Sequence, residues 1–535
     1  MSLSHANAWD FPYTSQRMPV LAENMVCTSQ PLATNAALRI LAKGGNAIDA
    51  ALAAATTLTV TEPCMNGIGG DLFAIVWDGT QLHGLNASGR APAAWTPEHF
   101  AKYDAMPKRG WDSVTVPGVV SGWRALSDKF GTLPFAELFD SAIHYARNGY
   151  LVAPIAQRQW AGQVEELSVQ PGFIDGFAPG GKAPEAGTRF ISPGQADTLT
   201  AIAQTGGEDF YHGKIAKAIA DHARATGGLM TEADLAAHFN TWETPISTAY
   251  GDIELHEIGP SGQGIGALIA LGILEQSGIG KLPLDSTEYF HAQIEAMKLS
   301  FADIYRYVAD PDHMQGVSAA ELLDPAYLAE RAKLLDPNKA NFPGPGKIHH
   351  GGTTYLTVAD SKGMMVSLIQ SNFKGFGSGV VIPNTGIAMQ NRGWGFNLMP
   401  GHPNQVGPNK RPFHTIIPGF LTRGGKPLMS FGVMGGSLQA QGHLQVAIRI
   451  GDHGQNPQAA IDAPRWRIDD DNVTVAVEWN FPPQAIAGLR ALGHKVVIAK
   501  RHSDEFGGSQ AILRVAEGEY LGGSDHRKDG HAAGY

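Results

Sequence analysis

The stretch Gly352-Thr353-Thr354-Tyr355-Leu356-Thr357-Val358-Ala359-Asp360 decides how the rest of the chain reads. Residues 353–359 alternate and are rich in β-branched and aromatic side chains, which predicts a strand. Residues 364–370 predict a second strand, joined to the first as a hairpin by the turn Asp360-Ser361-Lys362-Gly363. Upstream, residues 336–350 are rich in Pro, Gly, Lys and His with almost no apolar period, and predict an exposed, mobile connector. Such a connector running straight into Thr-Thr is unusual. If the peptide bond before Thr353 breaks, the new N-terminal residue carries a nucleophilic hydroxyl and a base together. An α-amine has an ordinary pKa of about 7.7–8.0, so a useful fraction is neutral near pH 7. The same hydroxyl can make the cut, by attacking the Gly352 carbonyl, forming an ester and releasing the chain on hydrolysis. Glycine at 352 tolerates the strained backbone this requires. Taken alone, Gly-Thr-Thr is also how an ordinary strand begins, and that reading would prevail.

The totals fit a large enzyme-like chain. With 535 residues, 43% of them apolar, it can bury a sizeable core in one big domain or several. Charged residues are sparse at 17% and glycine is frequent, 65 in all, which points to many tight turns and argues against disorder. The net charge of −10, without a basic segment, excludes nucleic acid as a natural partner. Cys27 and Cys64 are the only cysteines and sit among apolar neighbours, so they read as buried free thiols. Residues 1–20 lack a signal-peptide pattern, and the longest apolar run, near 265–274, is too short to span a bilayer. A soluble cytoplasmic protein is expected.

Helical and strand patterns alternate along the chain. Helices are predicted at 31–43, 46–57, 117–129, 134–148, 215–224, 232–237, 287–307, 442–450 and 482–492, and a buried strand at 73–77. The second helix is Ala-rich and lacks a polar face, so it should be buried. A further glycine-rich stretch, MSFGVMGGS (429–437), ends an apolar strand with Gly435-Gly436. Exposed amides at such a pair can point at a developing oxyanion, although a glycine pair is more often an ordinary turn.

Together these blocks resemble the γ-glutamyltranspeptidase superfamily of N-terminal-nucleophile hydrolases. The resemblance runs through GGNAIDAALAAA (44–55), EPCMNGIGGD (62–71), TVPGVVSGW (115–123), FYHGKIAKAIA (210–220), GGLMTEADLAAH (227–238) and ADIYRYVADPD (302–312). It continues through GTTYLTVAD (352–360), FGSG (376–379), GPNKRPFHTIIPG (407–419), the glycines at 435–436 and GGSDHRKDGHAAGY (522–535). It implies an α/β fold, a four-layer αββα sandwich. It also implies cleavage between Gly352 and Thr353 into a large chain, 1–352, and a small chain, 353–535, which remain together as one composite domain. In that frame Thr353 is the nucleophile, Gly435 and Gly436 are oxyanion donors, and Ser371 is a hydroxyl residue beside the nucleophile. The implied partner is a small-molecule amide; no metal or organic cofactor, nucleic acid or membrane is implied, and a higher oligomer is left open.

The substrate pocket departs from the family pattern. The family holds the donor α-carboxylate with an Arg ahead of an Ala-Pro pair; here Ser88 falls at that place, with Arg90 two residues on. An acidic residue that meets the α-amine is replaced by Trp394, a nearby Asn by Phe373, and a Ser-Ser pair by His414-Thr415. The losses resemble the acylase-like branch. They lead to the expectation of an amide whose acyl group lacks an α-amine, such as a dicarboxylic monoamide whose free carboxylate meets Arg90, Arg392 or Lys374. The alternatives are a genuine γ-glutamyltransferase or glutathione hydrolase, and a processed but inactive binding protein.

Other signals read blandly. Adjacent His349 and His350 point to opposite faces of an extended chain and make a poor metal pair. The run Gly67-Ile68-Gly69-Gly70 precedes a strand instead of opening a helix, so it is no dinucleotide loop. Lys410-Arg411 reads as a structural contact, and Glu295, Asp303 and Arg306 as ion pairs along one helix.

Overall fold

Alternation along 352–359 is satisfied on both faces. The computed structural model describes residues 16–314, 316–342, 352–501 and 503–535. Strand Gly352–Ala359 pairs antiparallel with Met25–Thr28 on one side and with Met365–Phe373 on the other. It lies inside a seven-stranded sheet ordered His531–Gly534, Met25–Thr28, Gly352–Ala359, Met365–Phe373, Asp71–Trp77, Leu82–Asn86, Thr241–Glu243. A second seven-stranded sheet runs Val20–Ala22, Glu519–Ser524, Gly508–Ala516, Lys426–Met434, Gly419–Arg423, Ile253–Glu257, Ile246–Tyr250.

Three apolar cores stack these elements into four layers. Tyr355, Ala359, Phe73, Ile75 and Ile369 from the first sheet meet Phe420, Met434, Ile512 and Tyr520 from the second. The opposite face of the first sheet, with Leu356, Val358, Val366 and Leu368, packs under helices Pro31–Ala42, Ala47–Thr61, Val119–Phe130 and Asp140–Asn148. The outer face of the second, with Leu255, Leu421, Phe431 and Val433, packs under Gly264–Ser277, Thr287–Tyr307 and Leu438–Gly451. The result is the αββα sandwich expected from the resemblance. Burial on both faces explains why these strands read as near-continuous apolar runs. Strands drawn from before and after residue 352 interleave in both sheets, so neither segment has a complete core of its own.

Most predicted elements are present with shifted ends. The Ala-rich helix runs Ala47–Thr61, fully buried and closed at its start by a reciprocal Asn46–Asp49 capping box. The strand after the hairpin turn extends to Phe373. The helix expected over 134–148 is broken: Phe135–Phe139 is 3-10 and the α-helix begins at Asp140. Both cysteines are free and buried. Glu295 pairs within its helix with Lys298 at 3.0 Å, but Asp303 pairs with Arg331 of the neighbouring helix, because that face is covered by Pro325–Ala332. Of the predicted connector, residues 343–350 lie outside the described residues, as does the signal-peptide reading of residues 1–15. No helix among the described residues is long and apolar enough to cross a membrane.

The two sheets approach closely where Gly432 faces Tyr355. A Cβ at Gly432 would sit 2.5 Å from the Tyr355 ring. Gly432→Ala should therefore lower unfolding stability by about 1–3 kcal/mol, the usual cost of overpacking a filled core. Urea denaturation monitored by intrinsic fluorescence measures this, and an unchanged midpoint would contradict the close packing.

Candidate active site

Thr353 is 1% exposed, at the start of its strand and at the end of a cleft. The pairing with Met365–Phe373 slips in register between Gly352 and Thr354, so that Phe373 opposes Gly352 while Gln370 opposes Thr354. The one extra residue in the opposing strand forms a bulge, a feature that re-aims side chains. Here it turns Ser371 onto the 352–353 bond. The Ser371 hydroxyl donates to the Gly352 carbonyl at 2.7 Å and accepts from the Phe373 amide at 2.7 Å. The Thr353 hydroxyl donates to Ser371 Oγ at 3.2 Å, and Gln439 Nε2 reaches Thr353 Oγ1 at 3.4 Å. Phe373 follows the bulge at φ 74°, a conformation a bulky residue adopts only under constraint.

The next residue, Thr354, is anchored below. It accepts from Asn66 Nδ2 at 3.0 Å and donates to Glu62 Oε2 at 3.2 Å, and burial raises the Glu62 pKa. Gly435 lines the other wall and the buried Gly436 follows it, with φ of 134° and 63° that exclude ordinary side chains. They lead into helix Leu438–Gly451, whose N-terminal dipole favours negative charge here. Gln263 Nε2 holds the pair in place by donating to the carbonyls of Gly436 at 2.7 Å and Thr415 at 2.5 Å. Among the described residues, no acceptor takes the amides of Gly435 and Gly436.

A cleft of about 220 Å³ opens beside Thr353 and Gly435. Lys374, Lys528, Arg158 and Arg467 give its walls cationic character, partly offset by Asp504 and Glu505. Burial, with Lys108 and Arg109 nearby, lowers the Lys374 pKa.

Behind Phe373 lies a second cluster, closed to solvent. Arg392 is 1% exposed, and its guanidinium stacks 4.5 Å from the Phe373 ring centroid. Its Nη1 donates to Thr415 Oγ1 at 2.9 Å. Phe373 and Trp394 pack with ring centroids 5.3 Å apart. Asp71 accepts from the amides of Gly118 and Gly89 at 3.0 and 3.3 Å, and from His414 Nε2 at 3.2 Å. Burial pushes His414 well below its ordinary pKa, so it is neutral and carries its proton on Nε2.

Ser88 and Arg90 do not join either group. The Ser88 hydroxyl is bound to Asn86 Oδ1 at 2.7 Å, and Arg90 lies over the Phe239 ring at 3.8 Å. Lys410 and Arg411 make the structural contacts expected, to carbonyls of Pro403, Gln405 and Ser88. The candidate metal ligands among the described residues, His291, Glu295 and His494, already enclose a cation: Lys298 Nζ lies 3.0 Å from Glu295 and 3.3 Å from His494.

The γ-glutamyltranspeptidase family model matches residues 33–535. The chain belongs to this family. It is 36% identical to a glutathione hydrolase-like YwrD proenzyme of Bacillus subtilis, over 96% of this chain and 98% of the relative. It is equally 36% identical to an oxamate amidohydrolase proenzyme of Klebsiella pneumoniae, over 96% and 99%. The crystal structure of a cephalosporin acylase from Bacillus halodurans superposes with a TM-score of 0.94 at 45% identity, covering 98% of both chains. This γ-glutamyltranspeptidase-family protein is therefore an enzyme, a hydrolase of the N-terminal-nucleophile type made as a precursor that is cleaved into two subunits and acts on small molecules.

Sequence reading missed Gln263, Gln439, Glu62, Asn66 and Asp71 as neighbours of the family's reactive segment. Only Gln439 had a local signal, since it lies in the first turn of the helix that Gly435-Gly436 opens. The others arrive from segments distant in sequence.

Asp71 ties this region to pH. Burial is the largest influence on it and raises its pKa from 3.8 to about 6, against the lowering by Arg392 and the two amides. The folded protein thus holds a proton that the unfolded chain has released, and Asp71's contribution to stability falls as pH rises through that window. The stability difference between wild type and Asp71→Asn should shift against wild type by roughly 3 kcal/mol from pH 3.5 to pH 6.5. Urea titrations at the two pH values check this; a shift in favour of wild type would contradict it.

Proposed function

We propose that Thr353 is the nucleophile of both self-cleavage and turnover, and that the enzyme hydrolyses small amides whose acyl group lacks an α-amine. The observation that carries the first part is the hydrogen-bonded chain from the Thr353 hydroxyl through Ser371 to the Gly352 carbonyl. In the precursor, Thr353 Oγ attacks the Gly352 carbonyl carbon. Ser371 takes the hydroxyl proton and polarises the carbonyl oxygen with its own. The carbon–nitrogen bond breaks, the nitrogen of Thr353 takes up the proton, and an ester joins Gly352 to Thr353 Oγ. Water then cleaves the ester, leaving a carboxylate on Gly352 and a free amine and hydroxyl on Thr353.

In turnover the free amine accepts the Thr353 proton as Oγ adds to the substrate carbonyl. The amides of Gly435 and Gly436 stabilise the oxyanion from a water-poor wall, an arrangement that typically contributes several kcal/mol. The departing amine takes the proton back, and water hydrolyses the acyl ester to release the acid.

The acyl preference is supported by the closed cluster that lies behind the Ser371 bulge. Phe373 and Trp394 make it aromatic, and the cation behind them is Arg392. A donor ammonium there would lose its hydration beside a like charge, and the one acid of the cluster, Asp71, is occupied by two amides and a His. A neutral or anionic acyl group meets no such cost.

Intact mass after incubation tests the nucleophile. Wild type should resolve into residues 1–352 and 353–535, while Thr353→Ala stays whole and turns over no amide; a wild type that remains one active chain overturns the assignment. Glutaryl p-nitroanilide should then exceed its γ-glutamyl counterpart in kcat/KM by about 10-fold or more, the effect of roughly 1.4 kcal/mol from an unpaired ammonium. Equal rates, or a γ-glutamyl preference, would favour a glutathione hydrolase.

A further inference from the structure

Lys528 is a buried lysine that, among the described residues, forms no ion pair. It is 4% exposed and lines the cleft together with Gly352 and Thr353. Lysine is almost never buried this far unless it is paired. Here the ammonium donates to a neutral acceptor, Gln159 Oε1, at 3.3 Å. The acids next to it in the chain are taken elsewhere. Asp525 pairs with Arg465 at 2.7 Å and Arg527 at 3.1 Å, and Asp529 accepts from the amides of Ile155 and Ala156 at 3.1 and 2.9 Å.

The fold makes room for this side chain beside the reacting bond. A Cβ at Gly508 would sit 2.5 Å from Lys528 Cγ, and one at Gly435 would sit 3.1 Å from the Cα of the adjoining Gly507. The lysine stem thus passes along the glycine wall. Its charge bears on Glu62 and Cys64, which belong to the layer beneath Thr353: Glu62 accepts from Thr354, and a Cβ at Gly352 would lie 3.0 Å from the sulfur of Met65.

The remaining charges around the cleft are matched or lie further out. Arg158 pairs with Asp504 at 2.8 Å, and Arg467 with Asp469 at 2.6 Å and Glu505 at 3.7 Å. Lys374 is half-buried beside Lys108 and Arg109, which share Glu166. Burial pushes Glu62 toward its neutral form and keeps Cys64 a thiol. A cation near an amine makes it give up its proton more readily, which is one way an amine becomes a base near neutral pH. At the ordinary α-amine pKa of about 7.7–8.0, only about a tenth is neutral at pH 7.

We propose that the Lys528 ammonium keeps the freed Thr353 amine unprotonated, ready to take the proton of its own hydroxyl. This rests on the reading of Thr353 as the nucleophile with its amine as base. Lys528 holds no substrate and transfers no proton; it acts only through the amine.

The test is the pH profile of kcat/KM for processed enzyme on glutaryl p-nitroanilide, which reports ionisations of the free enzyme. Wild type should lose activity below about pH 7, under the ordinary α-amine range. Lys528→Met should raise that limb by about one unit, so that kcat/KM falls about 10-fold at pH 6 and hardly changes at pH 9. Lys528→Arg should keep the wild-type limb. A loss equal at every pH marks a structural or substrate-binding role and overturns the proposal. Where the variants do not mature, competitive labelling of wild type with acetic anhydride titrates the amine directly on the peptide that begins at Thr353. A midpoint below about 7 is expected, and one at about 8 or above overturns the proposal. An active enzyme in which intact mass shows no free amine at Thr353 would instead defeat the reading on which it rests.

Discussion

The antiparallel pairing of Gly352–Ala359 with Met365–Phe373, and the slip in its register, is the constraint on which the rest of the site depends. A regular ladder would carry Ser371 and Thr353 past each other without bringing both to the Gly352 carbonyl. The bulge makes that meeting possible, and it forces Phe373 to φ 74°. Such a conformation persists only where the surroundings over-determine it. Here the strand is central in its sheet, buried on both faces, and tied through Thr354 to Asn66 and Glu62. The strain is thus held by the core, and the reacting groups inherit its rigidity.

The opposing wall belongs to the other sheet. Gly435 and Gly436 end the strand Lys426–Met434, and the core between the sheets fixes their distance from Thr353. Gln439 reaches Thr353 Oγ1 from that wall and Gln263 holds the carbonyl of Gly436, both as neutral donors. The charged groups sit one layer further out, in the cationic cleft and in the closed cluster around Arg392 and Asp71.

Much of this was legible in the residues, and the parts that were not share a cause. The hairpin, the Ala-rich buried helix and the glycine pair rest on local patterns of period, capping and backbone freedom, and each was found near its predicted place. The bulge left no trace in the pattern, because 365–373 alternates no differently for containing it. The break before Asp140 was missed since Phe135 and Phe139 keep a helical spacing while the backbone between them is 3-10. The pocket was the least legible. Ser88 and Arg90 were candidates by their distance along the chain from Ala91-Pro92, but one bonds Asn86 and the other stacks on Phe239. Arg392 could be named as a cation; that two of its donors are buried and unmet depends on Phe373, Thr415 and Asp71, which come from three different segments.

The central claim, that the acyl group passes through an ester on Thr353, is tested most directly by trapping that ester. Processed enzyme turning over glutaryl p-nitroanilide would be quenched in acid and digested, and the peptide beginning at Thr353 weighed. A mass increase of one glutaryl group on that peptide, reversed by brief treatment with hydroxylamine, is the expected result. An active enzyme whose Thr353 peptide stays unmodified while another peptide carries the acyl group would contradict the account.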